Sequence, residues 1–256
     1  MFAIFRSLLL APVFLLAPNL LSAGLFDHKT TTEFSGEFSP SAFVELSNVN
    51  GSVTIETWER NEYHLTVTKI SKSEENLDLM EVRQDITSDH AKIEVHIPKK
   101  KGWFSFSRIQ GQINLVLTVP ASVDLNKIRT VNGSLQLSDL TGSVNASSVN
   151  GRIDAQDLGG ATRLNTVNGS INASFMELAH NANLSFETVN GGIRVHLPSD
   201  LHADVRGSVV NGTISCDFPI KLEGSNSRRR LHGQIGGGGS AIAASSVNGS
   251  IKLLER

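Results

Sequence analysis

Polar and apolar residues alternate along most of this chain. In the run Ser170-Ile171-Asn172-Ala173-Ser174-Phe175, every second residue is apolar. A period of two is typical of a β-strand with one buried face and one face in solvent. Runs of this kind recur between short polar or glycine-rich links, so the pattern predicts an all-β protein.

A Val-Asn-Gly tripeptide introduces seven of these runs. Successive valines lie 82, 18, 18, 22, 21 and 37 residues apart. A step near 20 residues is typical of stacked repeats, in which each unit buries its apolar face against its neighbours. Asn and Gly both tolerate a left-handed backbone, so we expect a turn at each copy. The predicted turn residues are Asn50, Gly51, Asn132, Gly133, Asn150, Gly151, Asn168, Gly169, Asn190, Gly191, Asn211, Gly212, Asn248 and Gly249.

Two structures could use these turns. In a hairpin, Asn-Gly would form a type I′ turn, and period-two pairing would leave Val167 on the polar side, away from Leu164 and Thr166. In a β-solenoid the chain turns a corner into the next parallel strand. There the valine can turn inward, and the asparagines of successive rungs can stack as a hydrogen-bonded ladder. We favour the solenoid: a single-stranded parallel β-helix with an N-terminal β cap or insertion.

The first residues have the layout of a targeting segment. Residues 1–23 hold one cation, an apolar run and small residues near Ala23, which predicts a secretory signal peptide cleaved after Ala23. An uncleaved N-terminal membrane anchor is the alternative. Because a signal peptide directs export, the expected location is the periplasm or the cell surface. Residues 24–58 would supply the first strands and the first Val-Asn-Gly turn.

Residues 59–120 lack the tripeptide and carry alternating strands joined by polar links. Strands are predicted at residues 64–68, 92–97 and 113–119, with a short helix between residues 73 and 82. We interpret this region as a β-rich cap or a set of degenerate rungs, since an open rung would expose unpaired backbone groups. Residues 121–256 would then hold the remaining solenoid repeats.

The net charge argues against nucleic-acid binding, and the cysteine content excludes stabilisation by an internal disulfide. A formal net charge of −2 and a pI near 6.4 give no basis for nucleic-acid binding. The single cysteine, Cys216, cannot form an internal disulfide, and its spacing from Ile214 predicts an inward-facing apolar filler.

Several motifs resemble one known family. These are the repeated Val-Asn-Gly-Ser-Ile pattern, the run Gly233-Gln234-Ile235-Gly236-Gly237-Gly238-Gly239, and the ending Ser246-Val247-Asn248-Gly249-Ser250-Ile251. Together they resemble the DUF4097 family of bacterial envelope proteins, to which a role in adhesion is ascribed. The similarity extends from about residue 43 to residue 254. It implies an exported β-helix similar in outline to the pectin-lyase fold, without catalytic residues or a cofactor to carry over.

Because pectin-lyase-like helices include polysaccharide-cleaving enzymes, carboxylate pairs are the feature to seek. In the predicted register no two carboxylates stand on adjacent rungs. The best polar cluster has neighbouring levels of Asp154, Asn172, Arg194 and His196. The eight histidines show no metal-ligand spacing. We therefore assign no catalytic, cofactor or metal residue.

One segment joins cations to aromatic residues at a predicted loop tip. It contains Lys99, Lys100, Lys101, Trp103, Phe104 and Phe106. This composition suits anionic lipid headgroups or glycans.

The sequence thus favours a non-enzymatic exported envelope protein: an adhesin, scaffold or interaction module that displays polar ladders on a β-helix. Expected partners are an envelope glycan, a cell-surface protein or the membrane surface, without nucleic acid. A carbohydrate-active β-helix enzyme is the first alternative. The second is an envelope-stress or membrane-surface sensor that uses the Trp103 loop.

Overall fold

A computed structural model describes residues 28–98, 111–179 and 181–256. In these ranges the chain is all-β, as predicted, with 21 strands in two large sheets and one short helix, α1 (Glu74–Leu79). The strands in chain order are β1 (His28–Glu37), β2 (Phe43–Ser47), β3 (Val53–Trp58), β4 (Glu62–Ser71), β5 (Glu81–Ile86), β6 (His90–His96), β7 (Gly111–Pro120), β8 (Asp124–Asn132), β9 (Leu135–Ser138), β10 (Val144–Asn150), β11 (Ile153–Leu158), β12 (Thr162–Asn168), β13 (Ile171–Phe175), β14 (Asn183–Asn190), β15 (Ile193–Leu197), β16 (Ala203–Asn211), β17 (Ile214–Cys216), β18 (Ile220–Leu222), β19 (Arg230–Ile235), β20 (Ser240–Asn248) and β21 (Ile251–Glu255).

Each sheet has a long parallel centre; sheet 2 has antiparallel strands at both ends, and sheet 1 has them at one end only. Sheet 1 has the order β1-β4-β7-β3-β9-β11-β13-β15-β21-β17. Sheet 2 has the order β18-β19-β16-β20-β14-β12-β10-β8-β2-β6-β5. The parallel strands match one to one across the two sheets, and we call each matched pair a rung. The rungs, numbered along the stack, are 1 (β6, β7), 2 (β2, β3), 3 (β8, β9), 4 (β10, β11), 5 (β12, β13), 6 (β14, β15), 7 (β20, β21) and 8 (β16, β17).

The core consists of the inward side chains of both sheets. In rung 5, Leu164, Ile171, Ala173 and Phe175 are buried, at positions that alternate with outward polar residues. Phe175 meets Phe186 of rung 6 edge to face, with ring centroids 6.3 Å apart. Period-two alternation therefore continues through the strands on both sides of each Val-Asn-Gly corner.

The order of rungs along the stack differs from their order along the chain. Rung 2, the first in the sequence, lies between rung 1 and rung 3. Rung 7, the last in the sequence, lies between rung 6 and rung 8. The chain therefore skips one level after β15, forms rung 8, and then returns to fill the level it passed.

The return to rung 7 depends on a run of four glycines. Gly236 to Gly239 connect β19 to β20, with φ values of 60°, 91°, 86° and 152°. A Cβ on Gly236 would lie 2.7 Å from the Leu201 carbonyl oxygen, just before β16 begins. Only glycine fits this path, because the backbone is left-handed and also passes against another strand's start.

Antiparallel strands cover most of the stack's ends. On sheet 1, β4 and β1 cover rung 1, and on sheet 2, β5 does so. At the other end β19 and β18 cover rung 8 on sheet 2. The strands predicted at 64–68, 92–97 and 113–119 coincide with parts of β4, β6 and β7. In and after α1, Leu77 and Met80 are buried.

Candidate ligand-binding surface

The Val-Asn-Gly corners stack into a continuous asparagine ladder. From rung 3 onward, the side-chain amide nitrogen of each asparagine donates to the side-chain oxygen of the asparagine in the preceding rung, and all six bonds are 2.8 Å long. In spatial order the ladder contains Asn50, Asn132, Asn150, Asn168, Asn190, Asn248 and Asn211. Each corner is thereby tied to the same corner of the neighbouring rungs.

The glycines of these corners serve a different purpose from the one expected. Of the seven, only Gly51 and Gly212 have φ in the left-handed region. In most copies the decisive feature is contact between rungs: a Cβ on Gly151 would lie 1.8 Å from the Gly133 oxygen, and one on Gly169 would lie 2.2 Å from the Gly151 oxygen. These corner positions therefore require glycine because any side chain would collide with the neighbouring rung.

A second row of hydrogen bonds lies inside the corners, at the residue before the valine, which is Ser or Thr in five of the seven copies. Buried hydroxyls donate to the corner-glycine carbonyl of the neighbouring rung, as Ser148 does to Gly133 at 3.1 Å and Thr166 to Gly151 at 3.0 Å. Thr188 and Ser246 repeat the contact. Thr130 occupies the same position, but its hydroxyl has no hydrogen-bond partner among the described residues.

Since the hydroxyl residue faces inward, the valine after it faces outward. This corrects the expectation that the corner valines turn inward. The exposed members are 39% to 57% accessible: Val131, Val149, Val167, Val189, Val210 and Val247. They form an apolar row across the outer face of sheet 2.

Beside the valine row runs a groove of about 800 Å³. It crosses rungs 2 to 7, and its other wall is the outward residue two positions before each valine. These wall residues are Ser47, Arg129, Ser147, Asn165, Glu187 and Ser245. One wall is therefore apolar, and the other is polar with both charges.

A depression of about 450 Å³ continues this groove towards rung 8 and shares Glu187 and Ser245 with it. Its outward side chains form two rows across β14, β20, β16 and β19, fixed by the strand register. One row holds Ser185, Ala243, Arg206 and His232; the other holds Glu187, Ser245, Ser208 and Arg230. Small side chains in the middle thus separate a basic end from an acidic corner.

The charges of this depression are only partly neutralised. Glu187 lies 3.7 Å from Arg163, and His232 lies 3.7 Å from Glu223. Arg206 and Arg230 are exposed, and neither has a carboxylate partner within the described part of the chain. The arginine guanidinium groups therefore remain available to an external anion.

The polar cluster predicted from the sequence lies on the opposite surface, the outer face of sheet 1. Strand register places Asp154 beside Asn172, and Asn172 beside Arg194. The Asn172 amide donates to Asp154 at 2.8 Å, and Arg152 pairs with Asp154 at 2.8 Å. Arg194 in turn donates to Asn172 at 3.5 Å.

This cluster offers little chemistry of the glycosidase type. His196 adjoins Ser174 and Leu254 in register, and Lys252 lies beside Arg194 because rung 7 is inserted there. The single carboxylate, Asp154, is already bound by an arginine and an amide, and no second carboxylate lies beside it in this column. In the described ranges no group of three or more metal-binding side chains occurs.

The remaining predictions concern the basic aromatic loop, the signal peptide and Cys216. The loop residues Lys99, Lys100, Lys101, Trp103, Phe104 and Phe106 lie outside the described residues, as does the predicted signal peptide 1–23. Cys216 is partly buried, and burial raises the pKa of its thiol, which keeps it protonated at neutral pH. No helix in the described ranges is long and apolar enough to cross a membrane.

The outer face of sheet 2 was not among the predicted surfaces. The predicted outward positions all follow a corner glycine, where sheet 1 begins. Continuing the period-two pattern backwards through Val149 to Ser147 and Asn145 would have placed all three on one exposed face. Arg206 and Arg230 had no such signal, because only the antiparallel pairing of β16 with β19 brings them together.

One solved structure shares the fold of this chain, and a second shows a weaker similarity. The crystal structure of a putative cell adhesion protein from Clostridium sporogenes has 14% sequence identity and a TM-score of 0.52, covering 89% of this chain and 100% of that one. A putative adhesin from Bacteroides fragilis has 12% identity and a TM-score of 0.40, covering 88% and 97%. No curated protein matches the sequence. The family model described as Toastrack DUF4097 matches residues 121–254, more than half of the sequence, and the chain belongs to this family.

Proposed function

We propose that this protein is a non-enzymatic adhesion or interaction module, exported to the bacterial envelope, that binds an extended ligand on the outer face of sheet 2. The observation that carries the proposal is the groove across rungs 2 to 7, with a valine row on one side and polar side chains on the other. In this proposal the paired rungs form one parallel β-helix, and its rigidity holds the groove straight.

The repeat of the groove suits a ligand with its own repeat. Neighbouring strands lie ~4.8 Å apart, so equivalent side chains recur at that interval along the stack. The asparagine ladder and the glycine contacts hold the corners in one register. A ligand lying along the stack would meet an apolar and a polar contact at every rung, and many weak contacts would add up without loss of ordering entropy in the protein.

The sheet 1 face gives less support to the alternative of a carbohydrate-cleaving enzyme. Glycoside hydrolysis ordinarily needs two carboxylates at the scissile bond. Asp154 stands alone in its column and is bound by Arg152 and Asn172. The name of the Clostridium sporogenes protein, a putative cell adhesion protein of similar fold, also supports adhesion.

The test is a binding screen with the chain lacking the predicted signal peptide, residues 24–256. Immobilised neutral and acidic polysaccharides and surface proteins serve as ligands, and the same samples are analysed for cleavage products. We expect binding without products. Ser147→Met together with Asn165→Met adds bulk without charge and should block the groove, weakening binding about tenfold or more by overlap with the ligand.

The matched control carries the same side chains on the other face, with Gln136→Met and Gln156→Met on sheet 1. Both control positions are exposed outward residues, so their substitution should leave binding unchanged. Equal loss in both variants would exclude the groove as the binding surface. A cleaved polysaccharide would overturn the non-enzymatic proposal and direct attention to Asp154.

A further inference from the structure

The depression at the end of the groove has a chemical asymmetry that the groove lacks. Arg206 and Arg230 occupy its basic end, on neighbouring strands and in adjacent rows of the array. Glu187 occupies a corner at the other end, two strands from Arg206 and three from Arg230. Between them lie the hydroxyls of Ser185, Ser208 and Ser245 and the methyl group of Ala243.

The basic end is suited to a carboxylate. An arginine guanidinium is a planar fork of donors that matches a carboxylate in a two-bonded arrangement. Neither arginine here is committed to a carboxylate of the described chain. His232 lies beside Arg206 in register, with its ring 3.7 Å from Glu223, so the two arginines carry the attraction for an anion.

The rest of the array requires a ligand that is more than an anion. A carboxylate accepts up to about four hydrogen bonds, and Glu187 has one charged neighbour, Arg163, at 3.7 Å. Glu187 therefore repels a second negative charge but can accept from hydroxyl groups. The serines can donate to hydroxyls or accept from them. A ligand that combines one carboxylate with several hydroxyls satisfies both ends.

The position of the depression favours a polymer over a small molecule. Glu187 and Ser245 also line the groove, so a chain seated in the depression can continue along rungs 6 to 2. A peptide could not bind here by strand addition, because β14, β20 and β16 are each paired on both sides.

Resting on the proposed function, we infer that the ligand is an acidic polysaccharide containing uronate residues. The carboxylate of one sugar lies against Arg206 and Arg230, its hydroxyls bond to the serines and to Glu187, and the rest of the chain follows the groove. No covalent step is involved.

The experiment compares three probes on residues 24–256: polygalacturonate oligosaccharides, their carboxyl-reduced neutral counterparts, and dextran sulfate. Calorimetry should show tighter binding of the uronate oligosaccharides than of the neutral ones. Arg206→Gln and Arg230→Gln should each weaken uronate binding about tenfold or more, because each removes a charge-assisted hydrogen bond. The matched control, Arg194→Gln on sheet 1, should change it less than about twofold.

Substitution of Glu187 separates sugar recognition from simple attraction of anions. If the face only attracts anions, Glu187→Gln should strengthen the binding of all of them. In our inference it weakens uronate binding, since the hydroxyls lose a charged acceptor, while dextran sulfate binding increases. Stronger uronate binding in Glu187→Gln would overturn the inference.

The two proposals can fail separately. If a neutral polysaccharide binds as tightly as the uronate, and the groove variants weaken it while Arg206→Gln does not, the uronate inference is wrong and the proposed function stands. If no polysaccharide or surface protein binds the unmodified chain, the proposed function itself is wrong. Unchanged melting temperatures will show that each arginine variant is folded.

Discussion

The two corners of each rung follow different rules. In rungs 3 to 8 the Val-Asn-Gly corner always leaves two residues between the sheet 2 strand and the sheet 1 strand. The opposite corner, which leads from sheet 1 back to sheet 2, has three residues at 159–161, five at 139–143 and seven at 176–182. One side of the stack is thus uniform, and the other is variable.

The difference shows which side fixes the spacing of the rungs. At the uniform side, asparagine bonds, buried hydroxyls and glycine contacts repeat from rung to rung. The variable side carries the connection at residues 198–202, which skips a level, and the glycine run that returns to it. Repeated contacts along one side of the stack are enough to fix the register of the rungs. The connections on the other side can then vary in length and cross between levels.

Glycine at the uniform corner should be the least replaceable feature. For Gly151→Ala we expect a loss of ~3 kcal/mol or more in the free energy of unfolding, because the new Cβ would lie 1.8 Å from the Gly133 oxygen and the rungs must separate. Urea unfolding followed by circular dichroism measures the change.

The control is Gly159→Ala at the variable corner. There the nearest atom to a new Cβ is 3.6 Å away, so we expect no loss, or a gain of up to ~1 kcal/mol from the stiffer unfolded chain. Similar losses in both variants would show that the glycine contacts do not distinguish the corners.

Interrupting the asparagine ladder should have the next largest effect. Asn168 makes two ladder bonds, to Asn150 and Asn190, so Asn168→Ala should lower the free energy of unfolding by about 2 kcal/mol. Asn211 ends the ladder with one bond, and Asn211→Ala should cost about half as much. Thermal denaturation of the two variants gives the comparison; equal costs would mean that the ladder bonds contribute little.

The buried hydroxyls allow a comparison within one corner type. Thr166→Val removes the donor to the Gly151 carbonyl and should cost ~1 kcal/mol or slightly more. Thr130→Val removes a buried hydroxyl without a partner, so it should be neutral or mildly stabilising. Denaturant midpoints of the pair provide the measurement, and a larger loss for Thr130→Val would contradict the assigned hydrogen bonds.

Insertion at the variable corner should have the smallest effect. A Gly-Ser insertion between the exposed residues Met176 and Glu177 should lower stability by less than ~1 kcal/mol, since loop closure depends weakly on length. The same insertion after Gly169 would break the uniform corner and serves as the contrast. The insertion after Gly169 should lower the melting temperature clearly more than the insertion after Met176. Equal decreases would show that both sides of the stack fix the register of the rungs.

Much of the Val-Asn-Gly side of the stack could be predicted from the sequence, whereas the order of the rungs and the basic depression could not. The recurrence of Asn168 and its equivalents indicates both the repeat and the ladder. The predicted inward orientation of Val167 was wrong. The corner was expected to be a left-handed turn, whereas the strand alternation continues as far as Asn168 and points Val167 outward. The residue before it, Thr166, carries the inward contact that the valine was expected to make.

The order of the rungs and the basic depression had no local signal. The gap of 37 residues between Val210 and Val247 shows that something is inserted, but its length does not say that β20 returns to lie between β14 and β16. Arg206 and Arg230 are likewise joined only by long-range pairing. By contrast, the sheet 1 cluster around Asp154 could be located by counting from each glycine, because its strands are in sequential order there.

The placement of the last rung has a mechanical consequence. Strands at the end of a chain usually open first, since they are bonded on one side only. Here β21 lies between β15 and β17, and Arg256 is held by Asp157 and by the Leu197 carbonyl. Tension applied at the carboxyl end must shear β21 from two neighbours at once instead of peeling an edge strand.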